Sequence, residues 1–197
     1  MEEVCFEKLN GKKLYRKRLI KDFPANERPK LRGFRRRMEK HQEKAYFYQE
    51  EGIAKGYILV DEIEDYILIS FLAVYEEYRG KGIGSRMLNE IQEKYQDKKG
   101  ILLEVENPKK EKNTEKKTIK ERRISFYEKA GYQKIPDLEL EIFFESYLVM
   151  ILEKQGNKIS SEEVGRKIKK FYSVLGRRKK RPIYSCSHFR GKEEMTN

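Results

Sequence analysis

Three segments predict an α/β (α+β) domain in which buried strands feed amphipathic helices. The apolar run Ile67–Val74 leads into the glycine-rich stretch Tyr78–Ser85, after which Met87, Leu88, Ile91 and Tyr95 recur at helical spacing. A buried strand therefore enters a tight turn that opens a helix. A second apolar run, Ile101–Glu106, and a helical pattern over Arg122–Ala130 that stops at Gly131 repeat the order of strand and then helix.

The elements follow in order. Cys5–Leu9 is a candidate first strand. Leu14, Leu19, Ile20 and Phe23 mark one face of a helix over Gly11–Phe23, which Pro24 breaks. Phe34 and Met38 share a face of a second helix, Arg32–His41. Its run Arg35–Arg37 reads as a solvated face. Ala45–Gln49 and Gly56–Glu62 are predicted antiparallel strands. Ile67–Val74 is the central strand, because it is apolar on both faces. The helix Met87–Tyr95 lies behind the glycine turn. Asn107–Thr118, rich in lysine around Pro108, is predicted to be a long mobile loop. Phe143–Leu152 supplies a late strand. Ser160–Glu163 has the form of a capping box, and Val164, Ile168, Phe171, Tyr172 and Leu175 make an apolar stripe on the helix that follows. Gly176 would end that helix before the basic block Arg177–Arg181. This gives two regions: a domain over residues 1–153 and a basic helical extension over 154–197.

The glycine turn carries the clearest chemistry. Without a Cβ, glycine lets backbone N–H groups approach a ligand closely. A helix N-terminus adds unpaired N–H groups and partial positive charge, so the turn forms an anion cradle suited to a phosphate or pyrophosphate. The dinucleotide fingerprint is incomplete, since Met87 stands where its third glycine would be, and the Gly-Lys-Ser/Thr ending of a P-loop is absent. Arg79, Gly82 and Gly84 instead match Arg/Gln-x-x-Gly-x-Gly/Ala.

With the strand Leu103-Glu104-Val105-Glu106 and the helix end Phe126-Tyr127-Glu128-Lys129-Ala130-Gly131-Tyr132, this motif resembles the GNAT (GCN5-related N-acetyltransferase) superfamily. The resemblance covers roughly residues 3–153. It implies a mixed, mostly antiparallel sheet flanked by helices, with the first two helices bordering the acceptor pocket. It also implies transfer of the acetyl group of acetyl-CoA, the co-substrate, to a primary amine by direct attack on the thioester. The implied cofactor-binding residues are Leu72, Ala73 and Val74, whose backbone meets the pantetheine arm at a bulge ending the central strand. Arg79, Gly80, Lys81, Gly82, Ile83, Gly84 and Ser85 surround the pyrophosphate. Tyr127 matches the family tyrosine beside the CoA sulfur and would protonate the departing thiolate. Glu104 matches a carboxylate that some ribosomal-protein N-terminal acetyltransferases use as a base. Strand alternation puts Glu106 on the same face, so the base is Glu104, Glu106 or a water relay. Asn107 comes earlier than the family's usual asparagine, and the lysine-rich insertion separates it from Tyr127.

Composition bounds the partners. The net charge of +12 is uneven: about +8 over residues 1–44, about −5 in the middle and about +9 over 154–197. Basic ends can attract nucleic acid or anionic cofactors, but abundant Lys, Glu, Ile and Tyr also mark a compositional bias, and nucleic acid is not favoured. Two distant cysteines suggest free thiols in a reducing cytoplasm. No apolar stretch of membrane-spanning length and no signal peptide are expected, so no membrane partner is either. With two histidines and two cysteines, no metal site is expected. A homodimer is left open. The alternatives are an acetyltransferase for an RNA-linked or ribosomal substrate, and a non-catalytic acyl-CoA-binding interaction module.

Overall fold

Short turns join the three long strands between Glu43 and Val74. The computed structural model describes residues 1–4, 10–25, 27–40, 42–142, 145–154, 159–175 and 183–186, and the chain divides into two units, Met1–Ile101 and Leu102–Asn197.

In the first unit, β1 (Glu2–Val4), β2 (Glu43–Glu50), β3 (Ile53–Ile63) and β4 (Tyr66–Val74) lie in that order, each antiparallel to the next. The predicted first strand, Cys5–Leu9, lies outside the described residues. Glu51 (φ 54°) and Gly52 (φ 73°) both take positive φ between β2 and β3, as a tight hairpin turn requires. Helix α1 (Asn10–Lys13) passes through a π-helical segment, Leu14–Leu19, into α2 (Ile20–Asp22); helix α3 (Leu31–Glu39) follows. One core joins Leu14, Tyr15, Leu19, Phe34 and Met38 of these helices to Ala45, Tyr57, Leu59, Phe71 and Ala73 of the strands. The register of β3 against β4 shifts at Leu59/Val60, so Ser70 is the extra residue on β4. On the β3 side the bulge is therefore at Ser70, and Leu72, Ala73 and Val74 pair regularly with Ile58, Tyr57 and Gly56. The Ser70 hydroxyl donates to Asp61 Oδ2 at 2.6 Å, giving a buried carboxylate a partner.

The run Arg35–Arg37 does not act as one solvated face. Arg35 pairs with Glu39 at 2.9 Å, whereas Arg37 turns inward, with Glu43 as its close partner and Asp61 at 3.7 Å. Glu43 and Asp61 are both 1% exposed. Burial raises the Glu43 carboxyl to about 7, against the opposing pull of Arg37 and with Asp61 adding to the rise. The folded protein thus keeps a proton that the unfolded chain releases near pH 4.5. Because the native state binds more protons in this window, stability should fall as pH rises from about 4.5 to about 7 and then level off. Glu43→Gln should flatten that slope in melting temperatures taken from pH 5 to 8; an unchanged slope would place its source elsewhere.

Helix α4 (Ile83–Lys94) packs on β3 and β4 through the buried side chains of Met87, Leu88 and Ile91. Gly56 makes this approach possible. A Cβ there would stand 2.7 Å from the Ala73 carbonyl oxygen and 2.9 Å from Met87 Sδ.

In the second unit, β5 (Gly100–Glu106, its first residues in the first unit), β7 (Glu145–Glu153), β6 (Gln133–Ile142) and β8 (Ile183–Cys186) follow in that order. β6 pairs antiparallel with both β7 and β8. The lysine-rich segment is not a long loop. A 3-10 turn, Pro108–Lys110, is followed after Glu111, Lys112 and Asn113 by helix α5 (Thr114–Lys129), about two turns longer at its start than the sequence pattern suggests. Asn113 caps it by accepting from Lys116 N at 2.9 Å, and buried Lys120 reaches Glu111 at 2.9 Å. Helix α6 (Ser161–Leu175) forms as the stripe predicts, with Val164 and Ile168 fully buried. His41, Phe143, Gly176 and Arg177–Arg181 lie outside the described residues.

Candidate functional site

Strand β4 delivers the chain to the glycine turn in the first unit. The Tyr75 N–H donates to the Lys55 carbonyl at 2.9 Å, and a 3-10 turn, Glu76–Tyr78, redirects the backbone. Gly80 (φ 75°) and Gly82 (φ 73°) then take left-handed conformations that residues with a Cβ rarely adopt. Gly82 caps α4 with no side-chain bond, and Arg86 N donates to the Gly82 carbonyl at 3.1 Å as the first turn closes. Buried Ile83 anchors the helix start, while Arg79, Gly80, Lys81, Gly82 and Ser85 are exposed and Gly84 is half-buried. The backbone N–H groups of the first helical turn therefore sit at an exposed, glycine-flanked end, a geometry that receives an anion.

The cationic side chains here fold onto the protein. Arg79 Nε donates to the Val74 carbonyl at 3.1 Å, tying the turn to the end of β4, and Lys81 Nζ lies 3.4 Å from the Glu77 carbonyl oxygen. Arg86 was not anticipated. Its Nε donates to the Tyr48 hydroxyl at 2.9 Å and its Nη2 to Glu50 at 3.1 Å. A Cβ on Gly82 would lie 3.5 Å from Arg86 Nη1, so this guanidinium borders the turn. The Lys55 ammonium holds the Glu50 carboxyl down at about 2, with Tyr48 contributing. The available signal was spacing, since Arg86 stands four residues after Gly82 on the same helical face.

The second unit holds the predicted catalytic residues. Tyr127, near the end of α5, is 9% exposed, and its ring lies 5.9 Å from that of Tyr132 in an edge-on contact. Tyr132 N donates to the Tyr127 carbonyl at 3.1 Å where Gly131 (φ 90°) ends the helix. Burial raises the Tyr127 phenol to about 12, partly offset by Arg123, while Glu106 adds a smaller rise. Glu106 pairs with Arg123, and Glu104 accepts a hydrogen bond from the Tyr172 hydroxyl of α6 at 2.6 Å. Asn107 is structural: its N–H donates to the Ser146 carbonyl at 2.7 Å, and its side-chain oxygen caps the 3-10 turn through Lys109 N at 3.0 Å. Among the described residues, no cluster of His, Cys, Asp and Glu could hold a metal ion.

Residues 41–134 match the family model described as an acetyltransferase (GNAT) domain. A GNAT-family protein from Bacteroides thetaiotaomicron is similar in structure, with a TM-score of 0.73 at 19% identity over 91% of this chain and 100% of that one. That likeness shows the fold, the mixed and mostly antiparallel sheet with flanking helices that the sequence predicts. The ribosomal-protein-S18-alanine N-acetyltransferase from Escherichia coli has a TM-score of 0.46 at 15% identity, over 59% of this chain and 73% of that one. A Bacillus subtilis acetyltransferase in complex with CoA also has a TM-score of 0.46, at 14% identity over 58% of this chain and 79% of that one. No curated protein matches the sequence significantly.

Proposed function

We propose that the chain, whose residues 41–134 match the GNAT acetyltransferase domain model, is an acyl-CoA N-acetyltransferase that transfers the acetyl group of acetyl-CoA to a primary amine. The observation that carries this reading is the turn between β4 and α4, where positive-φ Gly80 and Gly82 open the way to backbone N–H groups at a helix start. Those groups, on Lys81, Gly82, Ile83, Gly84 and Ser85, would bind the pyrophosphate. The backbone of Leu72, Ala73 and Val74 would align the pantetheine arm, and an amide at Val74 would polarise the thioester oxygen.

In the proposed reaction, Glu104 takes a proton from the amine, directly or through water. The amine nitrogen attacks the thioester carbon, the carbon–sulfur bond breaks, and Tyr127 gives its proton to the departing thiolate. The acetyltransferase domain would span residues 1–153, with 154–197 an appended extension. Cysteine usage supports a cytoplasmic location, and no helix among the described residues is long and apolar enough to cross a membrane.

The test is thiol release from acetyl-CoA with spermidine, glucosamine, tryptamine and an alanine-initiated peptide as acceptors, beside calorimetric titration with CoA. Release that depends on one of these amines is expected. CoA binding without release would identify a non-catalytic acyl-CoA-binding module, and absence of CoA binding would overturn the reading.

A further inference from the structure

The matched family segment ends at residue 134, yet α6 reaches back to the strand that carries the proposed base. Its side chains at 164, 168 and 172 share one face. Val164 and Ile168 are fully buried there, and Tyr172 extends the same stripe to Glu104. The helix start is fixed by Ser160, whose hydroxyl accepts from Glu163 N at 3.2 Å. At 2.6 Å, the bond from Tyr172 to Glu104 has the length of a phenol donating to an ionised carboxylate.

We propose that Tyr172 is a positioning residue for acetyl transfer, fixing the Glu104 carboxylate in the orientation from which it accepts the amine's proton. The inference rests on Glu104 being the base, as proposed above. The two acids of β5 are held differently. Glu106 has a guanidinium partner, which neutralises it. The Tyr172 phenol donates to Glu104 Oε2 and so fixes the direction of that carboxylate. The extension would thus contribute to the reaction through one hydroxyl, which packing alone does not require, since phenylalanine would fill nearly the same space.

The experiment is a mutant cycle read by thiol release from acetyl-CoA, with whichever of the four acceptors above reacts fastest. Tyr172→Phe should lower kcat about 10-fold and leave the KM for acetyl-CoA unchanged; Glu104→Gln should lower kcat by about 100-fold or more. Glu104→Asp keeps a carboxylate but draws it one methylene away from the phenol. Adding Tyr172→Phe to Glu104→Asp should therefore cost less than about twofold. A Tyr172→Phe loss of equal size in the Glu104 and Asp backgrounds, or no loss at all, would overturn the positioning role. So would a fall in kcat that only tracks melting temperature, as judged against the packing control Ile168→Val. Wild-type kcat in Glu104→Gln would overturn the base assignment itself, and this inference with it. The two failures are distinct, because an additive Tyr172 effect leaves the Glu104→Gln loss intact.

Discussion

Replacing Gly82 and Gly84 together with valine should weaken CoA binding by about 100-fold or more while the protein stays folded. At Gly82 the backbone holds φ at 73°, where an L-residue pays roughly 1–2 kcal/mol and a β-branched one is a steric outlier. Each 1.4 kcal/mol is about tenfold in affinity. The valine side chains would also stand where a phosphate must approach the N–H groups of the helix start. Without ligand, a Cβ at Gly82 meets nothing closer than Arg86 Nη1 at 3.5 Å, so local crowding alone should not unfold the helix. Calorimetric titration with CoA and a thermal melt measure both effects. Retained tight binding by the folded double variant would remove the cradle from the site.

Tyr127→Phe should lower kcat by about 10- to 10³-fold and change CoA affinity little, because it keeps the ring and removes only the proton donor. The packing supports a clean comparison: the Tyr127 ring is buried against Tyr132, a contact that phenylalanine retains. Burial holds the phenol near 12, so it stays protonated throughout the usual assay range and should produce no basic limb below about pH 11. Steady-state kinetics with acetyl-CoA and a reactive amine decide the matter. Unchanged turnover would reduce Tyr127 to a packing residue.

Most of the elements were legible because their signals are local. Alternating or continuous apolar runs marked the strands from Glu43 to Glu106, and the stripe Val164, Ile168, Phe171 and Tyr172 marked α6. The segment after Asn107 was misread because its lysines and Pro108 resemble a loop. Its helical character depends on the Asn113 cap and on Lys120 finding Glu111, neither of which shows as apolar periodicity. Strand β6 was missed for a related reason. Pro136, Asp137 and several glutamates hide the pattern, and the β6–β7 register breaks between Lys134 and Glu139.

The sequence by itself determined the family resemblance, the glycine turn and the candidate roles of Tyr127 and Glu104. These depend on residue type at short spacing, and the backbone freedom of Gly80 and Gly82 is a property of glycine itself. Only the tertiary structure decided which charges face which partners. Arg37 turns onto Glu43 and Asp61, Arg79 onto the Val74 carbonyl, Glu106 onto Arg123, and Tyr172 onto Glu104 across 68 residues of chain. Such pairings are set when strands and helices pack and buried polar groups must find partners. No local pattern in the chain encodes that requirement.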